Sequence, residues 1–245
     1  MNRSTPWAFY LCAVAALTLV AVTLEFRGVA EIRATVTEVF FLTFMAAVWL
    51  TVATRLFPWF GLSLRDDAVE RKNASALISL CGAVLALGFI YAGANIGEGP
   101  SITNNFFCDV IGSASFFLLW FLLELFGKIS RSIAEDRDLA TGLRTCGLFL
   151  AFGLIIGRAL AGDWHSEAAT IRDFIHDGWP ATILLLLALI VEPLARPNRR
   201  QAFPPWPAYG LLPAALYVSL AAVWLWHLGA WEGMHNDEIS AHAFS

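Results

Sequence analysis

Seven long apolar runs divide the chain, and short polar segments separate each run from the next. Each run has roughly the twenty residues that an α-helix needs to cross a hydrocarbon layer about 30 Å thick. The runs lie at 7–26, 38–57, 73–97, 104–127, 139–162, 179–195 and 206–228. The pattern therefore predicts an all-α, polytopic membrane protein with seven transmembrane helices, folded as a single membrane domain over 1–245.

The composition supports a membrane protein. Hydrophobic residues make up 58% of the 245 positions and charged residues only 15%, which lies outside the usual range of soluble domains. The first apolar run has about eighteen residues, longer than the core of a signal peptide, and only Arg3 precedes it. We therefore expect this run to be retained as a helix.

Lysines and arginines are distributed unevenly between the predicted spans. If the N-terminus is cytoplasmic, eleven of them fall on the cytoplasmic side and three on the other side. Cytoplasmic loops of membrane proteins carry an excess of Lys and Arg. The count predicts a cytoplasmic N-terminus and an external C-terminus.

Two neighbouring stretches of the chain resemble each other. Residues 73–98 and 138–163 align without a gap and share eight of twenty-six positions. Each stretch follows an aromatic run and a charged loop, so each reads as the second helix of a hairpin, and the two hairpins keep the same direction in the membrane. The predicted repeats are 38–97 and 104–162, flanked by 7–26 and 179–228.

Small residues recur at helical spacing in both repeats and are expected to form packing faces. In lipid, helices associate through close backbone approach, which small residues permit. The predicted face of the third helix contains Gly82, Ala86, Gly93 and Gly97. The matching face of the fifth helix contains Gly147, Ala151 and Gly162, with Arg158 in the place of Gly93.

Two arginines, Arg144 and Arg158, lie inside the fifth apolar run. An unpaired arginine in the bilayer costs at least about 2.5–3.5 kcal/mol, so a partner or water is expected. At 1.5 Å of rise per residue, Glu124 lies level with Arg144 and Asp109 lies level with Arg158. We predict a structural ion pair between Glu124 and Arg144, and a second pair between Asp109 and Arg158.

The second pair has three possible roles: a clamp between two helices, a solute or ion site, or an Arg158 that extends to the interface. Tyr91, Asn95 and Asn105 are predicted at a similar depth. With Asp109 and Arg158 they form a predicted polar binding pocket at the outer side. Glu192 falls near a span end, where extension of the carboxylate to the interface is the expected arrangement.

The remaining residues show no pattern of a metal, cofactor or nucleic-acid site. The four cysteines occur singly within apolar runs, which is typical of packing residues. Neither Lys72 nor Lys128 lies in the seventh run, so neither can bind retinal there. We predict no metal and no cofactor, and the lipid bilayer rather than a nucleic acid as the partner.

The stretches "ERKNASALISLCGAVLALGFIYAGANIGEG" and "EDRDLATGLRTCGLFLAFGLIIGRALAGD" each place a polar residue, Asn73 or Asp138, before a helix rich in Gly and Ala. In this respect the chain resembles the YjfL-like family of bacterial inner-membrane proteins over about 38–163. The resemblance implies tandem helical hairpins and a bacterial inner (plasma) membrane location. It implies no activity. The intramembrane arginines and the first, sixth and seventh predicted helices are additions to the family pattern.

Three classes of function fit these features. The favoured one is a scaffold or accessory subunit that binds another copy of the chain, or other membrane subunits, through its small-residue faces. The alternative is a channel or transporter for an ion or a small solute, with Asp109 and Arg158 in contact with it. An enzyme is the least favoured class, because no residue pattern indicates a reaction.

Overall fold

A computed structural model describes residues 4–97, 99, 101–196 and 205–229. Within these ranges the chain is all-helical. The α-helices are α1 (Ser4–Arg27), α2 (Ala30–Ala34), α3 (Val36–Thr54), α4 (Ala74–Ala94), α5 (Ile102–Gly127), α6 (Leu139–Leu160), α7 (Glu167–Gly178), α8 (Pro180–Ala195) and α9 (Leu212–Leu228).

Within the described part of the chain, seven helical spans are long and apolar enough to cross a membrane. They are Trp7–Arg27, Val36–Thr54, Ala74–Ala94, Ile102–Gly127, Leu139–Leu160, Glu167–Ala195 and Pro207–Leu228. The predicted number of spans is thereby confirmed, and the chain is a multi-pass membrane protein in contact with the lipid bilayer.

The sixth span is longer than predicted, because α7 continues almost directly into α8. Trp179 joins them in a helical conformation, and Pro180 is the first residue of α8. Proline has no N–H for the hydrogen-bond ladder but fits the first turn of a helix. The ladder therefore stops and restarts at this point, and the chain keeps its direction.

The helices α4 and α6 form the centre of the bundle. In their most apolar stretches 78% and 72% of the residues are buried, compared with 17% in α1 and in the α9 span. The helix α1 packs on α4, and α9 packs on α6. The peripheral helices therefore present most of their apolar surface to lipid, and the two central helices do not.

The predicted small-residue faces are covered within the chain. A Cβ on Gly82 would lie 2.7 Å from Cα of Cys146 on α6, and one on Gly93 would overlap the carbonyl oxygen of Gly157. On the other side of α6, a Cβ on Gly147 would lie 2.5 Å from Cα of Ala214 on α9. These glycines allow backbones to touch, as expected for membrane helices.

The two remaining members of the small-residue faces on α4 and α6, Ala86 and Ala151, are fully buried. A Cβ on Gly97 would overlap the carbonyl oxygen of Gly162. Gly162 takes part in this contact only through its backbone, since a Cβ on Gly162 would meet nothing within 4 Å. Its lack of a side chain is not what permits the contact, because α6 ends at Leu160 and the helical period no longer applies two residues later.

Similar turns precede α4 and α6. Wide helical turns at Leu64–Glu70 and Arg131–Glu135 each lead to a residue with left-handed backbone, Lys72 (φ 51°) and Arg137 (φ 53°). The next residue caps the helix: Asn73 accepts from two backbone N–H groups of α4, and Asp138 from two of α6. We call this side of the bundle the turn end and the opposite side the far end.

Candidate functional site

A cavity of about 300 Å³ lies at the far end of the bundle. The ends of α4 and α6, the beginning of α5 and one face of α7 enclose it. Polar side chains make up a large part of its walls. The polar lining residues are Asn104, Asn105, Arg158, Asp163, His165, Thr170, Asp173, His176 and Asp177.

Arg158 lines the cavity but does not pair with Asp109, so the predicted ion pair is wrong. The guanidinium donates to the carbonyl oxygens of Leu228 (3.0 Å) and Gly229 (3.4 Å) at the end of α9, and of Ala161 (3.4 Å) after α6. The last carbonyls of a helix have no partner within it and carry partial negative charge. Arg158 therefore caps two helix ends.

Asp109 belongs to a buried chain of side chains behind the cavity. Its carboxylate accepts from the amide of Asn95 at 3.3 and 3.4 Å, and the Asn95 oxygen accepts from the amide of Asn105 at 3.0 Å. Asp109 is 5% exposed and Asn95 is 1% exposed, whereas Asn105 reaches the cavity wall. Asp109 thus acts on the cavity only through the two asparagines.

Tyr91, the fifth residue of the predicted pocket, points elsewhere. Its hydroxyl donates to the carbonyl oxygen of Leu42 on α3 at 2.9 Å, while its own carbonyl accepts from Asn95. The structure therefore brings Asp109, Asn95 and Asn105 together, and it places Arg158 with Asn105 at the cavity. That any of them binds a ligand stays a prediction.

The second intramembrane arginine, Arg144, forms a buried ion pair at the turn end. Its Nε and Nη2 donate to the two carboxylate oxygens of Glu192 on α8, at 2.7 and 2.9 Å. Further donations reach the Thr141 hydroxyl at 2.8 Å and the carbonyl oxygen of Tyr209 at 3.2 Å. A two-pronged Arg–carboxylate pair is a strong and directional interaction.

The predicted pair between Glu124 and Arg144 is therefore wrong, and so is the expectation that Glu192 extends to the interface. Glu124 instead accepts from the backbone N–H and the hydroxyl of Ser130, at 2.9 and 2.6 Å, in the turn after α5. Glu192 is only 3% exposed. Glu124 thus accepts hydrogen bonds within its own turn, and Glu192 on α8 is the acid that pairs with Arg144.

Sequence reasoning missed Glu192 although a usable signal was present. Glu192 lies three residues before the end of α8, and Arg144 lies five residues after the start of α6. Because these helices run in opposite directions, the two side chains have similar depth. Counting residues from the helix ends therefore indicates Glu192 as well as Glu124, and only the helix packing decides which of them pairs with Arg144.

The fold and its buried charges define the class of the protein: an all-helical, multi-pass membrane protein with a polar cavity at one end of its core. A family model described as "Domain of Unknown Function (DUF350)" matches residues 31–160, more than half of the chain. The chain belongs to this family. No curated protein and no solved structure matches it significantly.

The family region has a clear relation to the buried arginines. It contains both Arg144 and Arg158, whereas their partners on α8 and α9 lie after residue 160. The two arginines therefore connect the family region to the helical hairpin that follows it. The family model is consistent with the resemblance to a family without established activity, and the YjfL-like name stays a prediction.

Proposed function

We propose that the protein binds a small polar solute in the far-end cavity, as a member of the class of solute channels and transporters. The observation that carries the proposal is the cavity itself. Its volume of about 300 Å³ lies at the lower end of the range of small-molecule sites, which also combine a concave shape with a few convergent polar groups.

The orientation predicted from Lys and Arg would open this cavity to the outside of a bacterial inner membrane. With a cytoplasmic N-terminus, α4 and α6 run outward, and the far end lies away from the cytoplasm. A solute would then reach the site from the external medium. The proposal needs this access, and it does not need the Asp109–Arg158 contact that the sequence indicated.

A scaffold that associates through the small-residue faces receives less support. The face of α4 is covered by α6, and Gly147 is covered by α9. A second copy or another subunit would have to contact the lipid-facing sides of α1, α3, α5, α8 or α9 instead. Among the residues that the structure describes, nothing in the geometry of those sides selects such a partner.

We also propose that the two helical hairpins are copies of one repeated unit. The left-handed residues Lys72 and Arg137 are 65 positions apart, and so are the capping residues Asn73 and Asp138. The N–H of each capping residue donates to a carbonyl six residues earlier, of Asp67 and of Ser132. These equivalent turns support a duplicated hairpin whose two inner helices form the core.

Thermal unfolding of the full chain in lipid nanodiscs tests solute binding. The probes are 1,4-diaminobutane, succinate, sorbitol and glycine, each tested alone. At ten times its Kd, a solute that binds only the folded protein raises Tm by about 3–6 °C. We expect at least one probe to do so.

Gly162→Trp provides the matched test, because Gly162 lines the cavity and a Cβ there would meet nothing within 4 Å, so a large side chain has room at the cavity wall. We expect Gly162→Trp to lose the Tm shift and Gly162→Ala to keep it. The proposal fails if no probe shifts the wild-type protein, or if the shift is the same in Gly162→Trp.

A further inference from the structure

We propose that Asp109 is an intramembrane proton-binding site: its carboxyl group is neutral in this structure and exchanges its proton with water in the far-end cavity. The inference goes beyond the proposed function, because it needs water in the cavity but no bound solute. It follows from the burial of Asp109, from the small number of hydrogen-bond donors around it, and from its connection to the cavity wall.

Asp109 lies well inside the membrane-spanning part of α5. It comes seven residues after Ile102, the first residue of the helix, which corresponds to a rise of about 10 Å. Asp109 is 5% exposed. One turn further in, a Cβ on Gly112 would overlap the side chains of Ile90 and Leu160, so the packing there is tight and apolar. The cavity side is therefore the nearest source of water for Asp109.

The hydrogen-bond donors around Asp109 do not suffice for an ionised carboxylate. Among the described residues, Asn95 donates to it, and the same amide nitrogen also donates to the carbonyl oxygen of Tyr91 at 2.8 Å. An amide nitrogen carries two hydrogens, so one remains for Asp109, and the two carboxyl oxygens share it at 3.3 and 3.4 Å. An ionised carboxylate has about four acceptor sites. One long, shared hydrogen bond leaves most of them empty.

In the described part of the chain, no cation offsets a negative charge on Asp109. Arg158 donates to three backbone carbonyls instead. The nearby Tyr91 hydroxyl donates to the Leu42 carbonyl oxygen, and the Cys108 thiol is the neighbouring side chain on α5. Neither group carries a positive charge. A charge buried without a partner is so costly that the group becomes neutral instead, and Asp109 therefore holds a proton in this structure.

The other titratable groups near Asp109 lie beyond Asn105. This residue lines the far-end cavity and also a second recess of about 200 Å³. Apart from Arg158, the titratable residues that line these two spaces are Glu38, Cys108, Asp163, His165, Asp173, His176 and Asp177. None of these seven is a permanent cation, so none supplies the charge that an ionised Asp109 lacks.

A short path connects Asp109 with the cavity. Asn105 lies one turn earlier on α5, lines the cavity and donates to the Asn95 oxygen at 3.0 Å. A movement of the Asn105 side chain into the cavity would let a water molecule reach the carboxyl group. The proton then passes to the water oxygen, the carboxylate keeps the electron pair of the O–H bond, and a hydronium ion leaves through the cavity. Uptake of a proton reverses these steps.

An exchangeable proton gives Asp109 a role in transport. Ionisable residues within transmembrane helices commonly belong to ion pathways and proton relays. In a transporter, such a residue can link the movement of a solute to the proton gradient across the membrane.

Infrared spectroscopy tests the proton on Asp109, because a protonated carboxylic acid has a C=O stretching band at higher frequency than the bands of a carboxylate. The full chain is measured in alkyl maltoside micelles, which contain no carbonyl group. Its aspartates are labelled at the side-chain carboxyl with a heavy carbon isotope. At pH 7 fewer than about one exposed aspartate in a thousand is protonated. We expect a protonated band that the label shifts, and that moves to lower frequency when heavy water replaces water.

Variants of Asp109 assign this band. Asp109→Asn should remove it, and Asp136→Asn, at an exposed acid of the turn end, should leave it unchanged. Asparagine is nearly isosteric with aspartate, and thermal unfolding shows whether each variant is folded. Asp109→Glu keeps an acid at this position, so its protonated band should no longer respond to the label on aspartate. This second variant assigns the band even if Asp109→Asn does not fold.

The outcomes separate this inference from the proposed function. The inference is overturned if the wild-type protein shows no protonated aspartate band, if the aspartate label still shifts the band in Asp109→Glu, or if heavy water leaves the band in place. Solute binding stands in each of these cases, because the thermal shifts by the four probes decide it. If the band behaves as expected and no probe shifts Tm, the proton site stands and the proposed solute binding fails.

Discussion

The guanidinium of Arg144 on α6 lies 2.7 Å from the carboxylate of Glu192 on α8, and both side chains are almost fully buried. This pair joins the DUF350 region to the helical hairpin that follows it. At the other end of α6, Arg158 binds the end of α9. The helix α6 thus binds the hairpin of α8 and α9 at both the turn end and the far end of the bundle.

Loss of one partner of the buried pair should destabilise the protein strongly. We expect Arg144→Leu to lower the free energy of unfolding by about 3–5 kcal/mol, because the buried Glu192 carboxylate loses both close bonds and keeps only the longer contact with Arg196 Nε at 3.8 Å. The double variant Arg144→Leu, Glu192→Leu should recover most of this loss. The measurement is a denaturant titration in mixed micelles.

The exposed pair of Arg65 and Glu70 is the control for this titration. Its atoms lie 2.9 Å apart, but its side chains are 84% and 56% exposed. Arg65→Leu should therefore lower the stability far less than Arg144→Leu does, because water screens exposed pairs. Equal losses for Arg65→Leu and Arg144→Leu would contradict the role assigned to the buried pair.

Arg158→Gln should loosen the end of α9 without affecting Asp109. Loss of a cation at a helix C-terminus costs about 0.3–1 kcal/mol, so amide hydrogen exchange in the last turn of α9 should rise about two- to fivefold. Exchange around Asp109 should stay the same. Faster amide exchange around Asp109 with no change in α9 would instead support the Asp109–Arg158 pair that the sequence predicts.

Asp109 is expected to position Asn105 through Asn95. In Asp109→Leu the buried Asn95 amide loses its carboxylate acceptor, which costs about 1–3 kcal/mol. Asp109→Asn keeps an acceptor oxygen and should cost clearly less. Thermal unfolding of the two variants checks this order, and equal losses would show that the charge of Asp109, which both variants remove, matters rather than its hydrogen bond.

The contact between α4 and α6 predicts different results for two glycines. Gly93→Ala should destabilise the protein by about 1–3 kcal/mol, because its Cβ would overlap the Gly157 carbonyl and force the helices apart. Gly162→Ala adds the same methyl group into open space and should change stability by less than about 0.5 kcal/mol. Similar effects for both would argue against the close backbone contact.

The membrane spans can be predicted from the sequence because length and hydropathy are local properties. The helix caps Asn73 and Asp138 are also local, since each accepts from backbone N–H groups two and three residues later. Both appear in the sequence as a polar residue before an apolar run. Such features do not depend on how the helices are arranged.

The partners of the arginines cannot be predicted in this way. Counting residues along a helix gives the depth of a side chain but not the neighbour that it faces. Glu124 and Glu192 have similar depth, and the packing of α8 and the Pro207–Leu211 turn against α6 selects Glu192. Arg158 binds backbone carbonyls of α9, which no side-chain pattern marks.

The rate at which a neutral methanethiosulfonate modifies Cys108 tests the central claim, that the far-end cavity is a water-accessible site. Cys81, which is as deeply buried as Cys108 (9% and 8% exposed) but does not line this cavity, is the internal control. We predict that Cys108 reacts at least about tenfold faster than Cys81, and that Gly162→Trp, but not Gly162→Ala, removes the difference. Equal rates at the two cysteines, or a fast reaction at Cys108 that Gly162→Trp leaves unchanged, would contradict the account.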